Sequence, residues 1–223
     1  MDKKQEAINL LLQQKMLPLY YHESEEVSLE ILKALYNGGV RIVEYTNRGE
    51  NALANFKALR KVVNKDMPGL LLGIGTIKTK KQAKKFIEAG ADFIVAPTIN
   101  EEVGEITQNE NLLWIPGCMT PTEIACAEGF GAEIVKIFPG NVLGPSYISA
   151  IKELFPGLKF MPTGGVEAEE KNLIGWFDAG VVAVGMGSNL ISKQASDNKE
   201  FEQIKTSAAN AMDLIKRITQ RGE

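Results

Sequence analysis

Apolar and polar positions along the chain switch repeatedly between two patterns: the three-and-four spacing of a helix face and the short continuous apolar run of a strand buried on both sides. Between residues 2 and 14, Ala7, Ile8, Leu11 and Leu12 recur at helical spacing, which predicts an N-terminal capping helix. A strand follows over 17–21, a helix over 29–36 that stops at Asn37-Gly38-Gly39, and a second strand over 40–45. The alternation then continues with a helix over 51–63, a strand over 70–74, a helix over 80–89 and a strand over 93–96. A weaker helix covers 101–108, and a strand over 112–115 ends at Pro116-Gly117. Helices over 122–128, 146–155 and 169–177 separate strands over 134–138, 158–161 and 181–184, and a long helix over 200–218 closes the series. Strands that alternate with helices predict a parallel sheet, here with eight strand–helix units.

A faint repeat separates the two parallel architectures. Asn37-Gly38-Gly39-Val40, Glu88-Ala89-Gly90-Ala91, Phe130-Gly131-Ala132 and Asp178-Ala179-Gly180-Val181 each set glycine between a helix and an apolar strand. That recurrence, once per two units, suits an α/β fold of the closed (βα)8 TIM-barrel type better than an open six-stranded sheet. No linker or charge block interrupts the alternation, so one domain over 1–223 is predicted. Its length is short for a barrel of about 250 residues and requires compact loops.

Composition narrows the partners. With 25 basic and 28 acidic residues the net charge is −3, so no overall field draws nucleic acid or an anionic membrane, and an anionic substrate must be held by local groups. No apolar run is long enough to span a bilayer, and the first twelve residues lack the core of a signal peptide. Cys118 and Cys126 are too few for a disulfide scaffold and have no metal-ligand spacing around them, which points to a reducing cytoplasm. Cys118 has no adjacent base to activate it. The single histidine, His22, reads as a polar loop residue, Trp114 and Trp176 as core. Carboxylates outside the second strand fall mostly on helix faces, so neither a metal site nor a cofactor is expected.

One lysine breaks an apolar strand, in Glu133-Ile134-Val135-Lys136-Ile137-Phe138-Pro139-Gly140. Alternate side chains share a face, so Ile134, Lys136 and Phe138 point one way. An enclosed ammonium has its pKa lowered, and the neutral amine can form a Schiff base with a ketone. The plainer alternative is a lysine near a strand end with its head in water. In the second strand Glu44, Thr46 and Arg48 share the parity of Ile42 and face inward, so a carboxylate and a guanidinium would face that amine. Glu44 there either neutralises Lys136 in a structural ion pair or takes part in chemistry.

Barrel active sites lie at the C-terminal ends of the strands. The third strand ends Leu72-Gly73-Ile74-Gly75-Thr76, where glycines would let a ligand approach the backbone and Thr76 offers a hydroxyl. The seventh and eighth end in Pro162-Thr163-Gly164-Gly165 and Gly185-Met186-Gly187-Ser188-Asn189, two glycine-rich turns where such barrels bind phosphate with backbone amides and the start of a short helix. Tight turns alone are the other explanation.

Taken together these residues resemble the 2-keto-3-deoxy-6-phosphogluconate (KDPG) and 4-hydroxy-2-oxoglutarate (KHG) aldolases over nearly the whole chain. The motifs that carry the likeness are Gly39-Val40-Arg41-Ile42-Val43-Glu44 with Thr46 and Arg48, Gly73-Ile74-Gly75-Thr76, Ala96-Pro97, Ile115-Pro116-Gly117, Lys136-Ile137-Phe138-Pro139, Pro162-Thr163-Gly164-Gly165 and Gly187-Ser188. The resemblance implies a metal-independent Schiff-base aldolase, homotrimeric and cytoplasmic, whose partner is a small 2-keto acid rather than nucleic acid or membrane. It implies Lys136 as the Schiff-base lysine, Glu44 as proton shuttle, Arg48 and Thr76 as carboxylate binders, Thr163, Gly164, Gly165, Gly187 and Ser188 around a phosphate, and Pro97 and Phe138 as pocket walls. The chain departs from the pattern where relatives carry an arginine after the first strand, here Tyr20-Tyr21-His22, and again at Asn47 and Gly49. Competing expectations are another phosphate-binding barrel, such as an isomerase or a thiamine-phosphate-type synthase, and a non-catalytic barrel that binds a keto acid.

Overall fold

Helices and strands alternate in the predicted order. The computed structural model describes residues 2–220, so Met1 and 221–223, the ends of the predicted 1–223 domain, lie outside the described residues. The chain runs α1 (Lys3–Gln14), β1 (Met16–Tyr20), α2 (Glu25–Asn37), β2 (Ile42–Thr46), α3 (Ala52–Asp66), β3 (Leu71–Gly75) and α4 (Lys80–Glu88). It continues through β4 (Phe93–Val95), α5 (Glu101–Asn109), β5 (Leu113–Ile115), β6 (Gly117–Cys118), α6 (Pro121–Gly129), β7 (Ile134–Ile137) and α7 (Gly140–Ile151). Last come β8 (Lys159–Pro162), α8 (Glu170–Ala179), β9 (Val184–Met186), α9 (Lys193–Asp197) and α10 (Phe201–Thr219).

The differences from the periodicity have local causes. Helix α2 starts at Glu25 because Ser24 caps it, Oγ accepting from Val27 N at 3.3 Å, and its first turn is acidic and invisible to an apolar pattern. Helix α7 starts at Gly140 rather than 146 and is kinked at Gly144 (φ 71°, ψ 171°). The predicted fifth strand ends before Pro116, which has no N–H to donate, as expected, but a short strand that was not predicted, β6, follows it. The last strand lies at 184–186 rather than 181–184, since its pairing with β1 begins at Met16 opposite Val184. Helix α9 was not predicted. The four repeat glycines, Gly39, Gly90, Gly131 and Gly180, all have φ between 77° and 105°, so the repeat marks left-handed turns that lead from α2, α4, α6 and α8 into the next strand.

All strand pairs are parallel. Six strands run in the order β5-β4-β3-β2-β1-β9 and three in the order β6-β7-β8. The two groups meet where β6 continues β5 beyond Pro116 and where Thr163 bridges to Gly185, so the sheet curls round on itself. Side-chain parity splits the core in two. Val43, Tyr45, Leu72, Ile74, Val135 and Ile137 pack outward against helix residues such as Ile31, Leu35 and Phe56. Leu17, Ile42, Phe93, Val95, Leu113, Ile115, Ile134 and Met161 pack inward with Ala7, Ile8 and Leu11 of α1. Gln14 fastens α1 to the sheet, its Nε2 donating to the carbonyls of Met16 and Ile42 and its Oε1 accepting from the amides of Arg41 and Ile42.

Candidate active site

Strand β7 carries Lys136 on the inward face, as its parity with Ile134 requires, and leaves it 5% exposed. Its backbone is held by Pro116 O at 2.8 Å and stands in register with Gly117 and Met161. Burial lowers its pKa from the ordinary lysine value; the Glu44 carboxylate opposes that shift and the Arg48 guanidinium adds to it. The Phe138 ring stands 5.0 Å from Nζ.

Glu44 lies on the inward face of β2, 1% exposed, in register with Leu19 and Gly73. Burial raises its pKa, against the lowering effect of Lys136 and Arg48. Among the described residues no ion pair within 4.0 Å joins Glu44 to Lys136, and Glu44 Oε2 has no hydrogen-bond partner. A tight neutralising pair is therefore not what holds the two groups, and each is pushed toward its neutral form. The room around them comes from two glycines. A Cβ on Gly75 would overlap Glu44 Oε1 and lie 2.8 Å from its Cγ, and one on Gly73 would overlap the Phe93 ring. Sequence reasoning assigned both glycines to ligand approach; protein side chains fill that space instead.

Beyond β2 the chain exposes Arg48, whose amide donates to Thr46 O, while Asn47 N donates to Gly75 O. Thr46 is fully buried and its Oγ1 is unpartnered. Thr76 is half-buried with φ 61°, a conformation that strains a β-branched residue and is characteristic of functional sites. Pro97 packs against Gly117, where a Cβ would lie 2.5 Å from the Pro97 carbonyl carbon.

The turns after β8 and β9 come together as predicted. Gly164 (φ 94°) and Gly165 (φ 70°) fold against Asn141 at the start of α7, Gly140 N donates to Thr163 O, and Asn189 Nδ2 donates to Val166 O. Thr163 is buried beside Gly185 with Oγ1 unpartnered. The helix that follows does not start at Ser188: α9 begins at Lys193, and Ser192 Oγ already takes the amide of Ala195. A cleft of about 560 Å³ is lined by Arg48, Phe138, Thr163, Gly164, Gly165, Gly187 and Ser188. Lys136 and Glu44 are not among its lining residues, but Lys136 Nζ stands 5.0 Å from the centre of the Phe138 ring and Glu44 is in register with Leu19, and both Phe138 and Leu19 line the cleft. Thr76 and Pro97 are also outside it.

Tyr21 and His22, where the chain departs from the family pattern, do line the cleft, and Glu23 with Lys193 and Asp197 of α9, which sequence reasoning did not name, line it with them. His22, expected as a plain loop residue, accepts from Ser24 N through Nδ1 and holds Nε2 3.5 Å from Asp197 Oδ1. Lys193 pairs with the same carboxylate. The signal in the sequence was the replacement of the relatives' arginine by Tyr20-Tyr21-His22; nothing pointed to Lys193 or Asp197. Cys118 is buried and its thiol is pushed up to about 12, chiefly by burial, so it is inert. Both tryptophans are core. Among the described residues no group of three or more His, Cys, Asp or Glu could hold a metal ion, and no helix is long and apolar enough to cross a membrane.

Residues 7–207 match the family of KDPG and KHG aldolases. The chain is 30% identical over 202 residues to the 2-dehydro-3-deoxy-phosphogluconate aldolase of Treponema pallidum, covering 90% of this chain and 93% of that one. It is 28% identical over 215 residues to the KHG/KDPG aldolase of Escherichia coli K12, covering 96% and 98%. The KDPG aldolase of Legionella pneumophila, solved with pyruvate captured at low pH as a covalent carbinolamine intermediate, superposes with a TM-score of 0.82 at 27% identity, covering 94% of this chain and 98% of that one.

Proposed function

Because this chain belongs to the KDPG and KHG aldolase family, we propose that it is a class I aldolase, a lyase that cleaves a 2-keto-4-hydroxy acid into pyruvate and an aldehyde. The observation that carries this reading is a buried amine and a buried carboxylate in one curled sheet, each shifted toward neutrality and without an ion pair between them. The proposed substrates are KDPG, giving pyruvate and glyceraldehyde 3-phosphate, and 4-hydroxy-2-oxoglutarate, giving pyruvate and glyoxylate.

In the proposed mechanism the lone pair of neutral Lys136 Nζ attacks the C2 carbonyl, and Glu44 moves the protons that expel water and leave a protonated imine. Arg48, with Thr76, holds the adjacent carboxylate. Glu44 as carboxylate then takes the proton of the 4-hydroxyl, the C3–C4 bond breaks, and its electron pair enters C2–C3 as the enamine. The aldehyde leaves; protonation at C3 and hydrolysis of the imine release pyruvate and the free lysine. Thr163, Gly164, Gly165, Gly187 and Ser188 hold the phosphate through backbone amides and hydroxyls, and Phe138 and Pro97 wall the reacting end.

The protonated imine accepts the electrons that a Lewis-acid metal would otherwise accept, so the reaction we propose is metal-independent. The fold reading that goes with it is one closed eight-stranded barrel domain, with β5 and β6 as a single strand interrupted at Pro116 and α1 as the lid on its N-terminal end. A cytoplasmic homotrimer completes the proposal, supported by two unpaired cysteines and by apolar side chains left in solvent at Met119, Val142 and Leu154.

Borohydride reduction with pyruvate tests the central claim. One pyruvate-derived group is expected on Lys136 by peptide mass spectrometry, with cleavage surviving exhaustive chelation. An unmodified Lys136 peptide would overturn the aldolase reading.

A further inference from the structure

The turn between β1 and α2 is held more firmly than a surface turn needs. The carbonyl of His22 accepts from Ser28 Oγ at 2.9 Å, from Tyr45 Oη at 3.0 Å and from Asn55 Nδ2 at 3.1 Å. Three donors on one oxygen fix the peptide between His22 and Glu23, one residue beyond Tyr21. The Tyr21 ring rests against the buried Tyr45 ring, with centroids 5.7 Å apart, and Tyr21 lines the cleft beside Arg48.

Gly49 is where that ring ends. A Cβ on Gly49 would overlap the Tyr21 hydroxyl and lie 2.5 Å from Cζ. Gly49 is not among the glycines with positive φ, so its backbone would accept any residue, and the Tyr21 hydroxyl is what excludes a side chain there. That hydroxyl bonds to no described protein group. Burial, with Glu23 and Glu50, raises its pKa, so it stays a protonated donor.

The sheet order says which part of a ligand it meets. Strand β1 lies between β9 and β2, and Gly187 in the turn after β9 sits against Leu19, a Cβ there lying 3.5 Å from Leu19 Cγ. Tyr21 therefore borders the glycine-rich turns, whereas the reacting lysine is on β7.

We infer that Tyr21 is a specificity-determining residue whose hydroxyl, lodged over Gly49, donates to the anionic terminal group of the substrate's aldehyde half, a phosphate or a carboxylate. Gly49 is the positioning residue that leaves the hydroxyl its place. This inference rests on the aldolase reading above.

Tyr21→Phe removes the hydroxyl and nothing else, and Gly49→Ala displaces it while leaving Tyr21 intact. Both are assayed with KDPG, with 4-hydroxy-2-oxoglutarate and with 4-hydroxy-2-oxopentanoate, which ends in a methyl. Loss of a charge-assisted hydrogen bond should raise KM about tenfold for an anion-ended substrate, with kcat within twofold and the methyl-ended substrate unaffected. An effect on KDPG alone identifies a phosphate partner, and one on 4-hydroxy-2-oxoglutarate alone a carboxylate. The double variant should be no worse than the poorer single one, because both act on one contact. Equal changes for all three substrates, no change, or a change confined to kcat overturns the inference. Pyruvate trapping on Lys136 is run on each protein: failure in the parent removes the aldolase reading and this inference with it, whereas intact trapping with unmoved KM removes this inference alone.

Discussion

Replacing Gly75 with alanine separates the stability of this fold from its chemistry. The new methyl would overlap Glu44 Oε1 and lie 2.8 Å from its Cγ, on a backbone whose φ is outside the left-handed region, so the clash is with the carboxylate and not with the chain itself. Overpacking a core costs about 1–3 kcal/mol, and the low end applies because the first atom struck is the far end of a flexible side chain. For a chain of this size that lowers the melting temperature by roughly 2–4 °C per kcal/mol. The catalytic loss should be larger. A displaced general acid–base group is worth about 10² to 10⁴ in rate, or roughly 3–5 kcal/mol of barrier. The assay is steady-state cleavage by Gly75→Ala, Glu44→Gln and the double variant, each with a thermal melt. The expected pattern is a small loss of melting temperature, a large loss of kcat, and a double variant no slower than Glu44→Gln. A Gly75→Ala enzyme within threefold of the parent would refute the placement of the proton shuttle.

Further predictions concern charge and helix α1. In the proposed mechanism imine formation needs neutral Lys136, so its rate should rise with pH through a Lys136 pKa already lowered by burial. Glu44 opposes that lowering and Arg48 adds to it, so in borohydride-trapping profiles Glu44→Gln should move the acid limb to lower pH and Arg48→Met to higher pH. Shifts of the same sign in both variants would contradict the arrangement. Gln14→Leu removes four hydrogen bonds, from the amides of Arg41 and Ile42 and to the carbonyls of Met16 and Ile42, among residues that do not line the cleft. It should cost roughly 2–5 kcal/mol and about 10 °C of melting temperature, read by calorimetry, while kcat stays unchanged.

Much of this protein follows from local rules. The period-two alternation of a strand placed Ile134 with Lys136 and Ile42 with Glu44 and Thr46, and the structure has all five buried, with Ile134 and Ile42 in the inner core. Glycine between helix and strand marked four helix ends because a left-handed turn is a property of the residue there. What periodicity could not carry was decided by contacts between distant segments. It did not reveal that α9 supplies Lys193 and Asp197 to a cleft wall. Gly73 and Gly75 are small because of Phe93 and Glu44 on neighbouring strands, and Gly49 because of Tyr21 on another. A glycine's own conformational freedom is written in its type, but the neighbour that fills the space of its missing side chain is chosen only when the sheet curls and brings those strands together.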